Sequence, residues 1–182
     1  MTKKILLLLL LLNGFLAFSQ SPCSGGLAAG TYPCNGITLQ AYISAANMDA
    51  AEAQDSWGWT DPLDGKEYAV VALDNGTSFV DISDPINPRY LGRLDSHSGG
   101  SNLWRDVKVY SNHAYIVSEV NDDGLQIFDL TGLRGLSTSP FGAASRNFSE
   151  DGFLFIGDSG GGGNDGRAHN IVINEDAGFA YI

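Results

Sequence analysis

From Trp57 to Thr131 short apolar runs, alternating with polar residues in the strand after Trp104, are each closed by glycine, proline, asparagine or aspartate. That alternation is the period of a half-buried β-strand, and the closing residues are the ones turns require. A first strand, or its approach, lies at Trp57–Thr60. Asp61-Pro62-Leu63-Asp64-Gly65 then turns the chain into a strand over Glu67–Leu73 (EYAVVAL). Asp74-Asn75-Gly76 is a tight turn and Thr77–Ile82 (TSFVDI) a third strand. After Asp84-Pro85-Ile86-Asn87-Pro88, Arg89–Leu94 (RYLGRL) is a fourth. Pro85 and Pro88 cannot donate to a ladder, which places them outside the strands.

The outline then returns. From Trp104, Val107 and Val109 alternate with Asp106 and Lys108; Tyr115 and Val117 follow, and Asn121-Asp122-Asp123-Gly124 leads into Leu125, Ile127 and Phe128. Gly76, Phe79 and Asp81 match Gly124, Ile127 and Asp129 at a constant spacing of 48 residues. A strand-built repeat of roughly 40–50 residues marks a propeller blade. The predicted fold is therefore all-β, a β-propeller-like array of four-stranded antiparallel blades. Gly132–Glu150 interrupts the rhythm as a polar insertion. Phe153–Ile156 (FLFI) reads as a short buried strand and Gly157–Gly166 as a glycine loop. A third set opens at Ala168 and reaches only Ile182. A blade left unfinished would expose an apolar edge, so the sequence is expected to be the N-terminal part of a longer protein.

Ahead of the repeats, Lys3 and Lys4 precede an apolar run over Ile5–Phe18, and Ala17 and Ser19 supply small residues for cleavage. This is the layout of a signal peptide over residues 1–19, too short for a membrane span. Its removal takes the formal charge from −11 to −13. So acidic a chain repels nucleic acid and anionic lipid, and neither is an expected partner. Cys23 and Cys34, the two cysteines of an exported chain, are expected to form one disulfide. They staple an N-terminal segment over residues 20–55, which includes a short helix within Ala45–Gln54. The blades occupy residues 56–182.

Several motifs in order resemble the secreted LVIVD-repeat proteins, and among them the choice-of-anchor B family. They are the opening CSGG…YPC, WGWTDP followed by GKEYAVVALDNGTSFVDISDP, WRDVKVY with HAYIVSE, GLQIFDL, and AHNIVIN with GFAYI. Together they cover nearly all of the chain after the leader. The resemblance implies a β-propeller-like fold, export, and a variable C-terminal sorting or anchoring segment, through which alone the protein would meet a membrane. It names no reaction.

The residues themselves offer few catalytic sets. Gly157-Asp158-Ser159-Gly160-Gly161 spells the nucleophile motif of trypsin-like proteases, yet Gly162 and Gly163 follow it. The upstream His97 and His113 also lack the context of a general base. The same loop lacks the Lys-Ser/Thr pair of a phosphate-binding loop. Asp and Asn cluster at Asp74-Asn75, Asn121-Asp122-Asp123 and Asn164-Asp165, but none of these runs has calcium-loop spacing, and hairpins need such residues anyway. No cofactor is expected; calcium is the alternative. Asn75-Gly76-Thr77 and Asn147-Phe148-Ser149 match the glycosylation sequon.

Comparison of the copies is more informative. The first strand of a propeller blade lines the central channel, so polar residues there converge. Arg105 and Asp106 from one copy and His169 and Asn170 from the next form a candidate channel-facing binding ring, flanked by Trp57, Trp59 and Trp104. The competing structural role for the polar residues is to hold neighbouring blades in register; for the tryptophans it is inter-blade packing. His97 and Glu119 have no assigned role. The function expected is a binding or scaffold module outside the cell or on its surface, with a protein or glycan ligand and no evident catalysis. The alternative is an extracellular hydrolase or lyase that uses the ring, with calcium.

Overall fold

A computed structural model describes residues 21–142, 145–157 and 165–182. The leader over residues 1–19 and Asp158–Gly161 of the protease-like motif lie outside the described residues. The chain divides after Tyr42 into two compact units. In the first, β1 (Leu27–Ala28) pairs with β2 (Tyr32–Pro33), and the disulfide joins Cys23 to Cys34. Closing a loop of that size contributes about 3 kcal/mol in the chain-entropy picture.

The second unit is all-β; its one early helical element is a 3-10 turn over Ala45–Met48, in place of the short helix expected there. Ser44 caps the turn by accepting from the Asn47 N–H. The first blade comprises β3 (Ala53–Thr60), β4 (Glu67–Leu73), β5 (Gly76–Asp81) and β6 (Arg89–Asp95), each antiparallel to the next. Its second strand is apolar on both faces. Tyr68, Val70 and Ala72 enter one cluster, while Ala69, Val71 and Leu73 enter another. A strand buried on both sides reads as a continuous apolar run, as EYAVVAL does.

The second blade starts with β7 (Arg105–Tyr110), β8 (His113–Ser118) and β9 (Leu125–Asp129). Between β7 and β8, Ser111 and Asn112 both adopt positive φ, 48° and 64°. Two such residues are what a two-residue hairpin needs to match strand twist. The chain then leaves the blade. After a 3-10 turn over Leu130–Leu133 it returns to the first blade, where β10 (Asn147–Phe148) pairs in parallel with β6. The insertion thus covers an outer edge that would otherwise expose unpaired backbone. It holds on by backbone bonds, Arg93 N–H to Arg146 O at 2.9 Å and Ser139 N–H to Tyr90 O at 2.8 Å. Only then does β11 (Gly152–Leu154) complete the second blade against β9. The FLFI stretch is therefore an edge strand and its exit. Phe153, Leu154 and Phe155 are exposed, where the sequence pattern suggested burial. A hairpin of β12 (Val172–Asn174) and β13 (Phe179–Tyr181) follows.

The repeated glycines have a physical reason. A Cβ on Gly76 would stand 2.4 Å from Leu94 O, and one on Gly124 2.6 Å from Leu154 O. In both blades the third strand begins where the fourth strand's backbone comes too close for any side chain.

The blades meet through one shared core. Trp59, Tyr68, Val70, Phe79 and Leu91 from the first pack with Val107, Ala114, Ile116 and Phe128 from the second. Phe79 stacks on Phe128 at 4.4 Å between ring centroids, and Phe148 from the insertion meets Phe79 edge-on at 5.5 Å. The far face of the second blade, with Val117 and Leu125, buries Ile171 ahead of β12.

Candidate functional site

β7 lies beside both β3 and β12, so the first strands of successive sets are neighbours. One device joins them twice. Asp55 of β3 accepts the Val107 N–H at 3.2 Å, and Asp106 of β7 accepts the Ile171 N–H at 2.8 Å. Each carboxylate satisfies a backbone donor on the next set, a charge-assisted bond stronger than a neutral one. Asn170 adds a longer bond, Nδ2 to Asp106 Oδ2 at 3.4 Å.

Lys108 ties the two joints together. Its ammonium reaches Asp106 Oδ1, Asp55 Oδ2 at 3.3 Å and the Val107 carbonyl at 3.0 Å. It also sits 4.7 Å from the centroid of the Trp57 ring, a cation–π contact. Trp104 is met in turn by His169, with ring centroids 5.1 Å apart, and Glu119 holds His169 Nδ1 at 2.7 Å. Each of these two tryptophans therefore packs against a basic side chain from the following set. Between these groups opens a cleft of about 350 Å³, lined by Gln54, Asp55, Trp104, Asp106, Lys108, His169 and Asn170 among others. Trp57 and Trp104 keep 43% and 42% of their surface exposed.

Burial by itself would raise the Asp106 carboxyl. Hydrogen bonding within the Asp55–Lys108–Asp106 cluster and from the Ile171 N–H, with the Lys108 charge, outweighs it and holds the group down at about 2. Since this lies below the ~3.9 of an unfolded aspartate, the stabilisation is complete above about pH 4 and is lost as the pH falls toward 2. Asp106→Asn is expected to lower stability at neutral pH by about 2 kcal/mol and to flatten the acid limb between those values. Urea unfolding across that pH range checks it; an unchanged acid limb would place the acid-sensitive group elsewhere.

Of the residues marked in the sequence, Trp104, Asp106, His169 and Asn170 come together at this cleft, with Trp57 behind Lys108. Trp59 does not join them. It lies in the shared core, 5.0 Å from the Tyr68 ring, with its indole N–H donated to Asn112 Oδ1 at 3.1 Å. Arg105 borders the cleft, but its guanidinium turns inward, donating to Leu73 O at 2.9 Å, to Ser96 Oγ and to Asp123 Oδ2 at 3.0 Å. The turn aspartate Asp123 accepts from Ser98 and Ser118 as well. Its counterpart Asn75 accepts Arg93 at 2.8 Å and donates to Asp49 O. The same hairpin corner thus anchors an arginine in both blades, which leaves the Asn75 amide occupied. His97 pairs with Glu150 at 2.6 Å and stacks on Phe153. Among the described residues, no group of three or more His, Cys, Asp or Glu side chains is placed to hold a metal ion.

Asp55, Lys108 and Gln54 were not singled out from the sequence. Lys108 is legible in the sequence, because residues 106 and 108 share one face of a strand. Asp55 stands just upstream of the strand expected at Trp57, and its role depends on the next blade.

Residues 65–96 and 104–131 match the LVIVD repeat. The first match spans β4–β6 and the second β7–β9, so each covers three strands of a four-stranded blade and the two begin at different strands. Comparison with curated proteins and with solved structures finds no match.

Proposed function

We propose that the protein is an exported binding module of the choice-of-anchor B kind, with its ligand face on the first strands of successive blades. The observation that carries this is the cleft beside half-exposed Trp104, which gathers polar groups from β3, from β7 and from the segment just ahead of β12. Clefts with aromatic walls and a few placed polar groups are the usual form of a ligand site. Export is supported by the basic, leucine-rich start of the chain and by the disulfide, which belongs to oxidising compartments.

Asp106 is not suited to act as a general acid. A carboxylate held this low and committed to Ile171 and Lys108 is a poor proton donor at neutral pH.

The test uses the protein as its native cell exports it. N-terminal sequencing is expected to start at Gln20. The purified protein is expected to be retained on the extracellular polymer fraction of that cell, with retention falling about tenfold in Trp104→Ala. Retention unchanged in that variant would remove the cleft from the ligand face. Turnover of an extracellular polymer that Asp106→Asn abolishes would establish the hydrolase or lyase reading instead.

A further inference from the structure

Resting on that reading of the cleft, we infer that its ligand is an uncharged saccharide chain, stacked on Trp104 and hydrogen-bonded by Asn170, Asp55 and Gln54. Three observations single out this chemistry.

The first is the aromatic wall. Trp104 is 42% exposed although it stands at the mouth of a cleft, and His169, fixed by Glu119, supports it from the segment ahead of β12. A flat, supported indole matches the C–H face of a sugar ring.

The second is the balance of hydrogen-bonding groups. Lys108 and Asp106 are engaged within the chain, which leaves Asn170 to donate, Asp55 to accept and Gln54 to do both. Hydroxyls both donate and accept, so a polyol can satisfy such a mixed set.

The third is charge. The cleft's carboxylates Asp55 and Asp106 already share the Lys108 ammonium. The natural cation site over Trp57 is therefore filled from within the chain, and a basic ligand would have to displace a tethered lysine. An anionic ligand would meet a strongly acidic protein. At about 350 Å³ the cleft is at the small end of ligand sites, suited to a short stretch of a longer chain.

The test is titration of the exported protein with short oligosaccharides of glucose, xylose and mannose, and separately with an oligolysine peptide, following tryptophan fluorescence and heat. At least one saccharide is expected to bind and to shift the emission. Trp104→Ala should weaken it at least tenfold, Trp104→Phe should recover part of the loss, and Asn170→Ala should weaken it less. Trp104 is half-exposed, so its variants are expected to melt with the wild type, and a far-UV spectrum verifies this. Absence of binding by every saccharide overturns the inference, as does a saccharide that binds Trp104→Ala unchanged. Binding of oligolysine alone, lost in Trp104→Ala, overturns the saccharide assignment while the cleft remains the ligand face. Retention on native polymer that ignores Trp104 would sink the cleft itself.

Discussion

Asp123→Ala is expected to destabilise the protein by about 3–5 kcal/mol, the cost of leaving a buried charge without its partner. The Arg105 and Asp123 side chains are 0% and 1% exposed, and their ion pair spans 3.0 Å. Burial draws the Arg105 pKa down from its usual value, and the Asp123 charge and hydrogen bond oppose that pull. Removing the carboxylate would also strip Ser118 and Ser98 of their acceptor. With domains stable by only about 5–15 kcal/mol, this is a large fraction of the whole. Chemical denaturation of the variant is the measurement. Asp123→Asn, which keeps an acceptor but not the charge, should fall between the two. The double variant Arg105→Met with Asp123→Leu should recover part of the loss, because the paired charges also carry a desolvation cost. It should not recover all of it, since the surrounding serines stay unsatisfied. A cost under about 1 kcal/mol for Asp123→Ala would mean that water takes the place of the carboxylate.

The second large effect is expected at the joint between the blades. Phe79→Ala should cost about 3–5 kcal/mol, as truncation of a buried phenylalanine does where neighbours cannot collapse. Phe79 is fully buried, stacked on Phe128 of the second blade and met edge-on by Phe148 of the insertion. Three structural parts therefore lose contact through one substitution. Phe148→Ala should cost less, since Phe148 is only partly buried and packs at the margin of the cluster. Thermal melts followed separately by tryptophan fluorescence and far-UV circular dichroism test this. Coincident transitions are expected in the wild type. A Phe79→Ala variant that melts like the wild type would show that the blades are held by their other contacts.

Both effects concern residues whose importance the chain shows unevenly. Phe79 belongs to the spaced set Gly76, Phe79, Asp81 that recurs 48 residues later, and its strand is plain from the turns that bound it. Asp123 looks like one more turn residue among Asn121, Asp122 and Gly124. Nothing local separates a turn aspartate that meets solvent from one that receives a buried guanidinium. Arg105 and Asp106 are neighbours in one strand, yet they point to opposite sides, one into a charged knot and one toward the cleft. The alternation puts them on different faces but does not say which face is wet.

The sequence by itself determined the repeat, the all-β class, the turn positions and the one available cysteine pairing. All of these arise from short-range physics: strand period, turn chemistry, and a count of thiols. Tertiary structure alone decided that the insertion after Gly132 returns to edge the first blade before β11 completes the second. It likewise decided that Trp59 is core while Trp104 stays half-exposed, and that Asp55 and Lys108 build the cleft with Asp106. These outcomes depend on which distant strand lies alongside, and burial of charge is set by partners 50 or more residues away, as for Lys108 and Asp55. A pattern with a period of two records a strand's faces; it carries no record of what those faces meet.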